Sequence, residues 1–193
     1  MDFLTASDNR SGDARVDPGD GNDSPDESYS VDPGSLYYPI KKTLLASQRS
    51  GNGQVTTKVD TSSEFLNVDQ SHFSCNGLTF SSTLSIVLPD SPHDGALASV
   101  NDRISMGVKI TQPIRIRLQS SITSDVDVAF IQLIGPASAT PLNAQDNPDQ
   151  LIQLTALGVY TLIGSARLAV RLPNHSLGGR PLAVQISATL TMG

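Results

Sequence analysis

The end of the chain leaves little freedom in how it folds. Leu182, Val184, Ile186, Ala188, Leu190 and Met192 fall on one parity, and Gln185, Ser187, Thr189 and Thr191 on the other. A period of two places successive side chains on opposite faces of an extended strand, one face in a core and the other in water.

The same signature recurs upstream. Leu84, Ile86 and Leu88 share a parity, as do Met106, Val108 and Ile110. Ile114, Ile116 and Leu118 alternate with Arg115 and Arg117, and Ala166, Leu168, Val170 and Leu172 alternate with Arg167, Ala169 and Arg171. A looser version opens at Val55 to Val59. Residues 126–134 are apolar on both parities, which predicts a central strand covered on both faces. Runs rich in Pro, Gly, Asn and Asp separate these segments. The pattern predicts about seven strands and a mainly β fold, an antiparallel β-sandwich or jelly-roll-like module. Crossover helices between the strands are missing, which disfavours a parallel α/β sheet. One or two short helices are expected. Residues 35–48 offer Ser35 as an N-cap with Ile40, Leu44 and Leu45 on one helical face. Asn147-Pro148-Asp149-Gln150 offers a cap, a first-turn Pro and a Gln ahead of residues 151–157, with Gly158 to close the helix.

Charge divides the chain differently. The first 35 residues hold nine acidic residues against Arg10 and Arg15, whereas the remainder holds eleven Lys/Arg and ten Asp/Glu. Asp, Ser, Gly and Pro dominate that first stretch, so little apolar surface offsets the entropy of ordering. The expectation is a disordered acidic arm over residues 1–35 and a single β-rich domain over residues 36–193. Within the arm Val-Asp-Pro-Gly occurs twice, at residues 16–19 and 31–34, each copy suited to a turn. Ser24, followed by Pro25 and with Glu27 three positions on, is a candidate phosphorylation site.

Catalytic patterns are sparse. His72, His93 and His175 do not pair at a metal-ligand spacing, and His72 with Cys75 supplies only two potential ligands. The lone Cys75 excludes an internal disulfide. Asp125 and Asp127 are read as a loop entering the buried strand. Neither a Gly-x-Ser-x-Gly elbow nor a Gly-rich phosphate loop occurs. A non-enzymatic protein is expected, with no metal, no cofactor and no small-molecule substrate. The N-terminal residues lack a basic patch followed by an apolar run, and no stretch has the length of a membrane-spanning helix, so neither a signal peptide nor a transmembrane segment is expected.

The residues with most functional content are basic. Arg115 and Arg117 project from one predicted strand and Arg167 and Arg171 from another, opposite the apolar parity. If the two strands are neighbours, four guanidinium groups share one surface suited to nucleic-acid phosphates or anionic lipid. The acidic arm is then a candidate mask over that patch.

An acidic arm ahead of a β-rich module without an enzyme motif resembles the layout of matrix proteins of negative-strand RNA viruses. Tyr38 and Pro39, with Leu44 after four intervening residues, resemble the Tyr-Pro-x-Leu class of budding motifs. The resemblance implies a matrix-like or capsid-like viral structural protein of the virion and host cytoplasm. Its partners would be copies of itself, the viral nucleoprotein or RNA, and an anionic membrane surface. Residues 84–90, an apolar strand ending in Asp90, are followed by the strand at 114–118. That arrangement is similar to the core of the 30-kilodalton superfamily of plant-virus movement proteins, in which one Asp after an apolar strand is the hallmark. This second resemblance implies cell-to-cell movement with nucleic-acid binding.

Overall fold

The structure, a computed structural model, describes residues 3–17, 26–31, 39–50, 53–89, 96–124, 129–136, 142–143, 148–171 and 181–193. Thirteen strands run through them: β1 (Phe3–Asp17), β2 (Asp26–Val31), β3 (Ile40–Ser50), β4 (Gly53–Leu66), β5 (Ser74–Cys75), β6 (Gly77–Val87), β7 (Leu97–Ile110), β8 (Ile114–Ser124), β9 (Ala129–Ile134), β10 (Leu142–Asn143), β11 (Asp149–Leu154), β12 (Gly158–Arg171) and β13 (Leu182–Met192). They form two antiparallel sheets. The first has the order β10-β9-β12-β7-β1-β2, with β5 added to β1, and the second has the order β11-β8-β13-β6-β4-β3. The inner faces pack with β12 over β13, β7 over β6 and β4, and β1 over β3 and β4. This is the expected antiparallel β-sandwich.

The alternation read from sequence selects the inner face. Val184, Ile186, Ala188 and Leu190 of β13 are buried, as are Met106, Val108 and Ile110 of β7, Ile116 and Leu118 of β8, and Leu168 and Val170 of β12. Each fully buried aliphatic side chain contributes about 1.5–3 kcal/mol relative to exposure. The chain passes between sheets at β2 to β3, β4 to β5, β5 to β6, β6 to β7, β7 to β8, β8 to β9, β10 to β11, β11 to β12 and β12 to β13. Neither sheet is therefore a contiguous stretch of sequence, and the two inner faces form together. One contact sets the local spacing: Phe80 of β6 lies against Gly164 of β12, where a Cβ would collide with its ring.

Several expectations are corrected. The first concerns the acidic arm over residues 1–35, whose described parts, β1 and β2, are strands of the first sheet. β1 pairs with β7 from Leu4↔Lys109 to Asp17↔Leu97. Arg10, Gly12, Ala14 and Val16 face inward, while Asn9, Ser11, Asp13, Arg15 and Asp17 face outward. The strand period is present there, but its inner members are small or charged, so composition hides it. No helix occurs among the described residues. Ile40 to Gln48 lie in β3, paired to β4, with Leu44 inward and Leu45 outward rather than side by side. Residues 149–154 are β11, paired to β8, since Ile152 and Leu154 turn inward and Leu151 outward. The doubly covered central strand is replaced by β9, which has β12 on one side and, among the described residues, only the two-residue β10 on the other. Phe130 on its outer face is 40% exposed; residues 126–128 lie outside the described residues.

Candidate functional site

The four arginines are not brought together. β8 lies in the second sheet between β11 and β13, whereas β12 lies in the first between β7 and β9. All four side chains are exposed on outward parities, so Arg115 and Arg117 point away from one side of the sandwich and Arg167 and Arg171 from the other. The period of two assigns a face to each strand but not a sheet, and this corrects the single patch. Arg117 is also engaged, its Nε and Nη2 donating to Asp149 Oδ1 and Oδ2 at 2.9 and 2.6 Å. That bidentate pair holds the Asp149 carboxyl below its ordinary range and the Arg117 guanidinium above its own.

On the outer face of the first sheet, Asp13 of β1, Asn101 of β7 and Arg167 of β12 occupy one cross-strand row. A shallow groove of about 290 Å³ is lined by Asp13, Asn101, Arg103, Ser165 and Arg167 among others. Asn101 Nδ2 donates to Asp13 Oδ1. Burial pushes the Asp13 carboxyl up, and the charge of Asp26 adds to this, while Asn101, Arg167 and Arg15 oppose the shift. The acidic segment thus shares a face with Arg167 by belonging to the same sheet.

Beneath this face is a buried polar seam that the sequence pattern did not single out. Asp102 is fully buried, and Tyr29 Oη of β2 donates to its Oδ1 at 2.5 Å. The ring reaches Asp102 by crossing Gly12, where a Cβ would stand 2.7 Å from Tyr29 Cε1. Arg10, also buried, donates from Nη1 to the backbone oxygen of Ser63 in β4 at 2.9 Å and to the Ser63 hydroxyl. Burial pushes the Asp102 carboxyl up, with Ser82, Tyr29 and Thr61 opposing. Asp102 Oδ2 has no hydrogen bond of normal geometry among the described residues. Burial, then the charge of Asp102, pushes the Tyr29 hydroxyl up as well. The parity that puts Val100, Ile104 and Met106 inside also puts Asp102 inside, which is the signal that could have found it. The seam fixes how β1 and β2 dock on β7 and β4, since a buried polar group left unpaired is costly.

The other residues that the sequence marks as candidates separate. Leu44 is buried in the inter-sheet core, so the Leu of the budding-like motif is unavailable to a partner; Pro39 precedes β3 and Tyr38 lies outside the described residues. Ser24, Asp90, His93, Asp125, Asp127 and His175 also lie outside them. Cys75 is buried in β5, whereas His72 sits on an exposed turn. There His72 Nδ1 lies 2.6 Å from Asp69 Oδ2, and the Ser71 hydroxyl donates to Asp69 Oδ1 at 2.6 Å. These bonds, Ser71 first, hold the Asp69 carboxyl well below its usual range. They stitch a tight turn in which both Asp oxygens are occupied.

The two sides of the sandwich differ. Where β2 and β3 lie side by side, Glu27 Oε2 of β2 accepts the backbone N–H of Leu45 at 2.9 Å, so a carboxylate from one sheet caps the edge of the other. Lys41, Lys42 and Arg49 add charge along that edge. On the opposite side, among the described residues, no strand pairs with the outer edge of β11. Among the described residues, Leu151 on its outer face is 66% exposed, and the exposed Leu157 follows shortly after the strand ends.

No helix among the described residues is long and apolar enough to cross a membrane. Comparisons with protein-family models, curated proteins and solved structures gave no match.

Proposed function

We propose that the chain is a non-enzymatic viral structural protein, matrix-like or capsid-like, that acts by self-association and meets nucleoprotein or an anionic membrane through its outer faces. The observation that supports this most is the contrast between the sides of the sandwich. The β2–β3 side is capped by Glu27 and flanked by charge, while on the other side, among the described residues, the β11 edge is unpaired and carries Leu151 at 66% exposure. Natural sheets protect their edges with charge, caps or covering segments, and an exposed edge with an apolar side chain is a template for pairing with another chain. An edge that is bare among the described residues on one side, and capped on the other, suits a protein whose copies join there. Sedimentation velocity of the full chain over a hundredfold dilution tests the reading. Mass that rises with concentration supports it, and a monomer at every concentration refutes it.

The alternative is a movement protein that binds nucleic acid. Arg103, Arg167 and Arg171, exposed on the outer face of the first sheet, favour it. It requires affinity for single-stranded RNA that falls steeply with salt.

A further inference from the structure

We infer that the outer edge of β11 pairs with the same edge of a second copy, antiparallel about a two-fold axis at Leu151, so that the second sheet runs continuously through both copies. The inference rests on the self-association reading and specifies its interface.

The hydrogen-bond parity of β11 is fixed by its neighbours. Ser120 N donates to Pro148 O at 2.8 Å, and Gly193 N donates to Arg115 O at 2.9 Å. Even-numbered residues of β8 therefore bond β11 and odd-numbered ones bond β13. In β11 the even residues spend their backbone groups on β8, and Asp149, Leu151 and Gln153 turn theirs to the open edge. An antiparallel pair joins residues that exchange both bonds. Centring the axis on Leu151 sets Leu151 against Leu151, and Asp149 against Gln153 in both directions. All three outward residues then fall in bonded pairs, for about six hydrogen bonds between copies. The Leu151 side chains meet on the outer face, which takes an exposed side chain out of water.

Charge selects a second copy as the occupant. The one ionised residue of β11, Asp149, is already matched within its own copy by Arg117, so the axis brings no unbalanced carboxylates together, and the amide of Gln153 stands opposite. The β3 edge is unsuited to the same pairing. Glu27 occupies the Leu45 N–H, and three cations along it would repel their symmetry mates.

Cysteine cross-linking tests the register. Across a hydrogen-bonded antiparallel pair the Cα atoms stand about 5.5 Å apart, a separation a disulfide spans. Leu151→Cys in the full chain should give a covalent dimer under mild oxidant, while Leu45→Cys on the capped edge should not; Cys75 is buried and does not compete. Leu151→Pro removes only an outward N–H, which an edge strand tolerates, and should weaken the dimer at least tenfold by sedimentation. Leu151→Lys, which keeps the backbone and sets like charges on the axis, should do the same if the proline variant misfolds. If the wild type self-associates but Leu151→Cys does not cross-link and neither other variant weakens assembly, this register is overturned while self-association stands. A wild type that stays monomeric overturns both. So does a monomer whose Leu151 and Gln153 amides gain protection only when another polypeptide supplies the strand.

Discussion

Tyr29 reaches Asp102 only because Gly12 stands between them without a side chain. The three residues come from β2, β7 and β1 and share one cross-strand row, Tyr29↔Gly12 and Gly12↔Asp102. The bond ties the segment richest in acidic residues to the centre of the sandwich.

Tyr29→Phe removes the donor and keeps the ring. It should cost about 1–3 kcal/mol, the range for losing a hydrogen bond to a buried acceptor, read as a lower urea midpoint with an unchanged slope. Gly12→Ala should cost a similar amount by forcing the ring aside. Wild-type midpoints for both variants would contradict the seam.

Asp102 predicts a pH dependence of definite sign. Its ordinary value is 3.8, and burial places the folded-state value above that. The folded state keeps this proton where the unfolded chain has lost it. The group's contribution is therefore most favourable below about pH 3.8, and it declines as pH rises to the raised value. Asp102→Asn abolishes the titration and retains an acceptor for Tyr29. Asp13 shifts in the same direction but is present in both proteins. Urea midpoints from about pH 3 to pH 8 should show the difference moving in the variant's favour as pH rises and then levelling off. A constant difference would contradict the assignment.

The contact of Phe80 with Gly164 predicts a compensating pair. Gly164→Ala should cost about 1–3 kcal/mol through overpacking. Adding Phe80→Leu should recover part of that loss, because residues in contact do not act additively. Strict additivity would mean that the ring does not rest there.

How far these features were legible in the sequence follows from what a period of two encodes. It identified the inner faces of β7, β8, β12 and β13 residue by residue, because large aliphatic side chains mark them. It failed on β1, whose inner residues are Arg10, Gly12, Ala14 and Val16, and on β11, where Leu151 points out and local capping chemistry imitates a helix start. Sheet membership is set by long-range pairing, so the sequence could not separate Arg115 and Arg117 from Arg167 and Arg171. Asp102 escapes the pattern because a charged residue on an apolar parity reads as an interruption rather than as part of the core.

That separation makes a prediction about anion binding. If RNA or anionic vesicles bind the outer faces at low salt, Arg115→Ala/Arg117→Ala and Arg167→Ala/Arg171→Ala should reduce affinity independently, and the quadruple variant should show the product of the two reductions. A quadruple effect far from that product would mean that the arginines act as one site.

Amide hydrogen exchange of the full chain, compared at dilute and concentrated protein, tests the central claim of self-association through an uncapped β11 edge most directly. The account predicts that the Leu151 and Gln153 amides exchange fast when dilute and become protected on concentration, while the Leu45 amide, already held by Glu27, changes little. Concentration-independent exchange at Leu151 and Gln153, or protection arising at the β3 edge instead, would contradict it.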